Sequence, residues 1–448
     1  MPQEALLLGE SARNPVAWWQ GRPIAREQFQ AHVRQVQEGL PDRAHAILLC
    51  EDRYRFLVAF AACLLRQQVV LLPPSRMDAD VRRLERDHPD SYRLDDAMLA
   101  GLDPDTPGQS AAAWRIPLEQ MAVQVFTSGS SGAPRANPKR WGELVAGAQR
   151  VRRRFGLQAG QARQLVATVP PQHMFGLEMS ILLPLQAGIT VHAGKPFFPQ
   201  DVIDALNALP GPRILVTTPL HLKAMAESAL PWPALDFVLS ATAPLSRDLA
   251  RRIEQACGAP VREIYGCSEA GAVAARETVR DEAWTLLDGY RLAAEHDGHY
   301  LYADPDGAGV RLPDRLRCLD AERFVILGRD SDMVNIAGKR GSLGDLTRRL
   351  RAIPGVEDGV FLQPDSPNGG REPRLAALVV APGLQAGDIL AALAREIDAV
   401  FLPRPLRLVD RLPYNDTGKL PRASLLAMLD GRAGTDAPVM EVRVRRHG

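Results

Sequence analysis

The chain has 448 residues, 46% apolar and 24% charged, with 54 basic and 53 acidic side chains and a net charge of +1. That is ordinary globular composition with material for about two to three domains, and the charge balance excludes a dedicated nucleic-acid binder, which carries a basic excess. Five cysteines, Cys50, Cys63, Cys257, Cys267 and Cys318, are scattered and never spaced C-x-x-C, which argues against a disulfide framework or a cysteine metal cluster.

No basic start followed by an apolar core opens the chain, so no signal peptide is expected. No apolar run reaches the roughly 18 residues of a membrane span. The longest candidate, Leu177 to Ala193, is interrupted by Glu178, Gln186 and Gly188. A reducing cytoplasm is the expected setting. Ile47–Cys50 reads as a buried strand, and Tyr54–Leu65 as a helix with Phe56, Phe60 and Leu64 on one face. Val69–Leu72 reads as a second strand stopped by Pro73-Pro74, and this order implies a parallel α/β unit. Asp103–Gly108 is a loop rich in Pro, Asp and Gly.

Val123–Phe126 then reads as the end of a strand. The next six residues, Thr127, Ser128, Gly129, Ser130, Ser131 and Gly132, carry no side chain larger than threonine. Such a loop can wrap its N–H groups round an anion, because glycine permits close approach. The hydroxyls add donors, and Arg135 brings a positive charge just beyond. A plain Ser/Gly surface turn has the same composition, so the choice rests on the remaining chain. Trp141–Phe155 looks helical. Leu165–Val169 is a strand ended by Pro170-Pro171, and Gln172-His173-Met174-Phe175-Gly176 leads into a helix rich in Leu and Ile. Val191-His192, Ile214–Thr218 and Phe237–Ser240 read as strands, and about Ser246 to Cys257 as a helix. From about residue 285 short β-like pieces alternate with Asp, Gly and Pro, and beyond about 330 a smaller α/β pattern begins. Arg443, Arg445 and Arg446 read as a solvated basic tail. Neither an internal repeat nor a Walker loop occurs, and Ala270 rules out a G-x-S-x-G elbow at Gly266.

In their order these segments resemble the motifs of the adenylate-forming superfamily: acyl- and aryl-CoA synthetases, peptide-synthetase adenylation domains and luciferases. Phe126–Arg135 is similar to its phosphate loop, with Ser131, Arg135 and Ala136 where the family usually has Thr, Lys and Gly. Pro170–Gly176 resembles the segment whose His lies near the substrate carboxylate. Ser240–Leu245 resembles Ser-Gly-Gly-Ala-Pro-Leu beside the adenine and acyl pocket, with Ala241 and Thr242 replacing the glycines. Tyr265–Glu269 is similar to Tyr-Gly-x-Thr-Glu, in which a carboxylate suits magnesium and a hydroxyl suits phosphate. Asp314 precedes Gly328-Arg329 by fourteen residues, as the family's ribose-binding aspartate does, with Leu312-Pro313 in place of Thr-Gly. Gly328–Asp332 falls at the family's hinge, with Ser331 at the pivot. Asn335–Arg340 and the helix from about Leu343 resemble the Gly-x-Arg motif, Asp345 standing where Glu is usual. Leu412–Arg422 resembles Leu-Pro-x-x-x-x-Gly-Lys-x-x-Arg and carries Lys419.

The resemblance implies an α/β fold. A large N-terminal domain of α/β subdomains with a β-rich portion spans 1–329, a small mobile α+β domain with the catalytic lysine spans 330–431, and 432–448 is a tail. It implies ATP-dependent activation of a carboxylic acid, aryl or short acyl with aryl preferred, followed by transfer to a pantetheine thiol of CoA or an acyl carrier protein. Catalysis is expected from Lys419, Glu269 (the magnesium ligand) and His173. Nucleotide contacts are expected from Thr127, Ser128, Gly129, Ser130, Ser131, Gly132, Arg135, Ala243, Tyr265, Gly266, Ser268, Asp314 and Arg329, and the acyl pocket from His173, Phe175, Gly176, Thr242 and Cys267. ATP, Mg2+ and CoA or phosphopantetheine are the implied cofactors, in a monomer or homodimer that binds neither nucleic acid nor membrane. The departures leave two alternatives open: an adenylate-forming enzyme with a non-thiol acceptor, and a degraded nucleotide-binding homologue.

Overall fold

The computed structural model describes residues 3–9, 14–108, 113–128, 134–158, 160–303, 307–329, 332–336, 339–364, 374–415 and 419–431, with backbone only at 128, 134, 329, 333, 335 and 340. The chain divides into two compact units. The first runs to Ala293 and takes in Leu301–Val310 and Ala321–Arg323; the second takes in Ala294–Tyr300, Arg311–Asp320 and the chain from Phe324 onward.

Two large sheets carry the first unit. In one, the order is Ser91–Leu94, His45–Leu48, Val69–Leu72, Met121–Ser128 and Pro134–Arg140. The first four strands are parallel and the last is antiparallel at the edge. The helix Arg53–Leu65 connects two of these strands; Asp52 caps it by accepting from the Arg55 N–H at 2.9 Å. Its apolar residues surround the axis, and it is buried on nearly every side. The other sheet runs Trp284–Leu286, Gly271–Glu277, Val261–Cys267, Phe237–Ser240, Arg213–Thr217, Gln164–Ala167, Thr190–His192, Ala17–Trp19 and Arg22–Ile24. From Val261–Cys267 to Ala17–Trp19 its strands are parallel. Central strands such as Phe237–Ser240 are buried throughout, as parallel strands covered on both faces must be.

Two local features differ from the sequence reading. The strand expected to end at Phe126 continues to Ser128 and is answered by a return strand, Pro134–Arg140, which places Arg135 opposite Thr127. Pro134 and Pro138 hide that strand in the sequence, since proline removes a ladder donor; an edge strand tolerates it. The expected Leu- and Ile-rich helix is broken by a π-helical turn, Glu178–Leu182, between Met174–Leu177 and Leu183–Ala187. One extra residue in a turn leaves an all-apolar pattern unchanged, so periodicity does not reveal it.

The second unit has its own core. Asp358–Leu362, Ala376–Val380 and Leu406–Leu408 form a sheet. Ala377 and Val379 pack with Leu346, Leu350, Ile389 and Leu393 of the helices Leu343–Arg351 and Ala386–Glu396. Ala376 and Leu378 point the other way, against Leu425 and Leu429 of Arg422–Leu429. A sheet with helices on both faces satisfies the alternation of a central strand. The mixed α/β class matches the expectation.

Candidate active site

The Ser/Gly loop springs from an antiparallel hairpin. Residues 129–133, and with them Gly129, Ser130, Ser131 and Gly132, lie outside the described residues. The neck is tied by Asn137, only 5% exposed, whose Nδ2 donates to the main-chain carbonyls of Val125 at 3.1 Å and Arg135 at 3.2 Å. Lys139, two residues further on the same face, is also buried, and its ammonium donates to the main-chain carbonyl of Glu269. The Arg135 guanidinium lies 3.8 Å from the Glu269 carboxylate. That pair is loose and solvated, so it contributes less than about 1 kcal/mol and yields readily to a phosphate or a metal.

Glu269 occupies the turn between Val261–Cys267 and Gly271–Glu277, an antiparallel pair whose register shifts between Tyr265 and Gly266. A Cβ on Gly266 would lie 2.3 Å from the Gly271 carbonyl oxygen, so glycine is required where the two strands close up. Tyr265 is buried, with its ring 5.8 Å from that of Trp284 and tilted by 56°. Ser268 is half-buried in the same turn. Burial pushes the Cys267 thiol up to about 12, leaving it unreactive at neutral pH.

His173 stands at the N-cap position of the helix Met174–Leu177, and Phe175 packs on the edge of the core. A Cβ on Gly176 would come within 1.9 Å of the Pro170 carbonyl oxygen, so Gly176 lets the chain fold back over the end of the strand. Arg53, fully buried, fixes this region from beneath. It donates to Ser180 Oγ at 3.0 Å, to the Val169 carbonyl at 2.6 Å and to the Gly194 carbonyl at 3.0 Å. Burial lowers its pKa to about 10, which still leaves it charged at neutral pH. Thr242 holds φ +81°, a left-handed conformation that a β-branched residue rarely adopts, and its buried Oγ1 has no hydrogen-bond partner among the described residues. Ala243 follows it, half-buried.

In the second unit the fourteen-residue spacing becomes a hairpin. Asp314 lies opposite Arg329 in the register of Asp314–Cys318 with Arg323–Arg329, and Asp314 is buried. Ser331 lies outside the described residues. Lys419 is exposed; its N–H donates to Asn415 Oδ1 at 2.8 Å, and the Asn415 N–H donates to the Lys419 carbonyl at 2.8 Å.

Within the first unit, then, Thr127, Arg135, Glu269, Ser268, Tyr265 and Cys267 are carried on two adjoining hairpins. Sequence reasoning passed over Asn137, Lys139 and Glu178. The first two were readable from the period of two that starts at Arg135. Glu178 entered only as an interruption of an apolar run, although a lone carboxylate in such a run is itself a signal.

Residues 69–293 match the AMP-binding enzyme family. The chain is 33% identical over 306 residues to a 4-coumarate–CoA ligase of Rhodobacter capsulatus, covering 67% of this chain and 75% of that protein. It is 27% identical over 343 residues to a probable 2-succinylbenzoate–CoA ligase of Mycobacterium tuberculosis, covering 70% and 86%. The fold is similar to unliganded O-succinylbenzoate–CoA synthetase from Bacillus subtilis, with a TM-score of 0.74 at 16% identity over 92% of this chain and 100% of that one. An anthranilate–CoA ligase bound to anthranoyl-AMP gives 0.74 at 14% identity over 97% and 99%.

Proposed function

The chain belongs to the AMP-binding enzymes, and from that premise we propose that it activates an aryl carboxylic acid with ATP and passes the acyl group to the thiol of CoA. The observation that carries the reading is the grouping of Arg135, Lys139 and Glu269 at the neck of the Ser/Gly loop. In the first step a carboxylate oxygen attacks the α-phosphorus, the bond to the bridging oxygen breaks, and pyrophosphate leaves. In the second the thiol sulfur attacks the acyl carbon, the bond to the AMP oxygen breaks, and the thiol proton is lost to solvent. The protein needs no nucleophile of its own; positioning and charge stabilisation suffice.

Arg135 and the loop hydroxyls bind the phosphates, and Lys139 holds the Glu269 turn by its carbonyl. One solvated carboxylate suits magnesium, which is usually bound through one or two carboxylates plus substrate phosphates, so Glu269 would hold it. Bound there, the ion neutralises phosphate charge. Tyr265, Ser268 and Ala243 take the adenine side, Asp314 and Arg329 the ribose, and His173, Phe175, Thr242 and Cys267 the acid. Lys419 bridges the carboxylate and α-phosphate, and Gly328–Asp332 is the hinge that brings it in and out. Relatives named for 4-coumarate, salicylate and 2-succinylbenzoate support an aryl acid.

A panel of aryl and short acyl acids, assayed for pyrophosphate release and then for thioester with CoA and with a holo carrier protein, tests the reading. Release with aryl acids and thioester with CoA are expected. Release without any thioester would mean a non-thiol acceptor, and no release with any acid would leave only a nucleotide-binding protein.

A further inference from the structure

Glu178 is a buried carboxyl that none of those steps uses. It sits on the π-helical turn that follows His173, 8% exposed. Its Oε1 accepts one hydrogen bond, from the Ala272 N–H at 3.2 Å. Oε2 accepts none among the described residues. Among the described residues no cation forms an ion pair with it either: the nearby Lys139 directs its ammonium to the Glu269 carbonyl.

Two glycines let this carboxyl pack directly on the neighbouring backbone. A Cβ on Gly271 would lie 2.4 Å from Oε1, and one on Gly147 3.5 Å from it. The other neighbours are Met174, whose Cε would be 3.4 Å from the same Gly271 Cβ, and Tyr290. Burial raises the Tyr290 phenol above its ordinary value, and the Glu178 carboxylate and Cys267 thiol raise it further, while Arg150, over its ring at 4.3 Å, opposes them. The carboxyl therefore lies between the helix that follows His173 and the strand that follows Glu269. Those are the segments assigned above to the acid and to the phosphates.

Burying a carboxyl against one backbone donor is unfavourable; burial pushes Glu178 up to about 7 from its ordinary 4.5. A leucine or methionine would fill an apolar turn without that penalty, and a glutamine would keep the Ala272 bond. What Glu178 alone supplies is an unpartnered oxygen, Oε2, which becomes a strong acceptor once the carboxyl ionises. From this geometry we infer that Glu178 lines the acyl pocket and, through Oε2, selects acids bearing a hydrogen-bond donor, a ring hydroxyl or amino group. The inference rests on the reading that the chain activates an aryl acid, and it names the substrate class within that reading.

The test is kcat/KM for pyrophosphate release at about pH 9, where the Glu178 carboxyl is ionised, by the wild type, Glu178→Gln and Glu178→Leu. The acids are benzoate and cinnamate, their ring-hydroxy and ring-amino derivatives, and the methyl ethers of the hydroxy acids. The wild type is expected to prefer its best donor-bearing acid over both the unsubstituted acid and the ether by on the order of a hundredfold. Glu178→Leu is expected to erase that preference while turning over the unsubstituted acid at least as well as the wild type. In Glu178→Gln the amide oxygen stays on the Ala272 N–H, so the amide nitrogen faces the ligand. A donor has replaced an acceptor, and the methyl ether should rise to match the hydroxy acid. This conservative variant decides the matter even where the leucine variant fails to fold. A wild type indifferent to the ring donor overturns the inference, as does an equal loss on all acids in both variants, the mark of a purely structural residue. Either result leaves aryl activation standing. If no aryl acid releases pyrophosphate, that reading falls and the inference falls with it.

Discussion

Single residues carry two measurable consequences of burial and strain. Glu178 holds its proton up to about 7 in the folded chain, against 4.5 ordinarily. Between those values the folded state binds a proton that the unfolded state has lost, so stability falls as pH rises through the window. Lys139 and Tyr290 face it, and desolvation outweighs the attraction of Lys139. Glu178→Gln should therefore gain on the wild type by up to about 3 kcal/mol between about pH 5 and about pH 8, read as a Tm difference that widens with pH. A constant difference would mean that the carboxyl does not titrate there. Thr242 presents the opposite case, an unfavourable backbone angle at a position where the resembling motif has glycine. Left-handed geometry costs a β-branched residue roughly 1–2 kcal/mol, and glycine loses back part of that through unfolded-state entropy. Thr242→Gly should stabilise by up to about 1 kcal/mol, while Thr242→Ala keeps the strain and should not. Calorimetry on both variants checks it; a clear drop in Tm for the glycine variant would show that the threonine methyl packs usefully.

The elements that matter are those the chain bends sharply. The turn from Pro170 through Gly176 works because no Cβ stands between the helix and the Pro170 carbonyl. Gly176→Ala would place its Cβ 1.9 Å from that oxygen and 2.8 Å from the carbonyl carbon, both backbone atoms unable to swing aside. A cost of about 3 kcal/mol or more is expected, with a fall in Tm and, because His173 opens the same helix, a loss of pyrophosphate release. A variant as stable and active as the wild type would show that the helix can slide at no cost. Pattern reading identified the neighbouring elements well. Val69–Leu72 and Phe237–Ser240 occur with the expected bounds, because short apolar runs bounded by turn residues have few alternatives. It missed the strand Pro134–Arg140, whose two prolines argue against a strand, and the π-turn, since one extra residue in an apolar helix leaves no periodic trace.

At the scale of the whole molecule, the proposed chemistry is divided between two units with separate cores. Lys419 belongs to the second, where two hydrogen bonds join it to Asn415. Adenylation needs an ammonium beside the α-phosphate, whereas thioester formation needs that space for a thiol. Lys419→Ala should therefore cut adenylation by on the order of a hundredfold, as loss of an oxyanion donor does. It should leave thioester yield from a supplied acyl-adenylate near normal. Pyrophosphate exchange and thioester assays on the one variant check this, and equal damage to both steps would make Lys419 structural.

The sequence by itself determined the α/β class and many of the parallel strands of the first unit, and it carried the motif residues, because apolar period, turn residues and short polar signatures are local properties of the chain. It also carried the Asp314 spacing without its meaning, which is a hairpin that sets Asp314 opposite Arg329. Only the tertiary structure decided that Lys139 holds the Glu269 turn, that Arg53 ties Val169, Ser180 and Gly194 together, and that Glu178 meets Ala272 across 94 positions of chain. Those contacts join residues that lie far apart in the chain. A buried charge has a role only through what surrounds it, and no stretch of sequence records its surroundings.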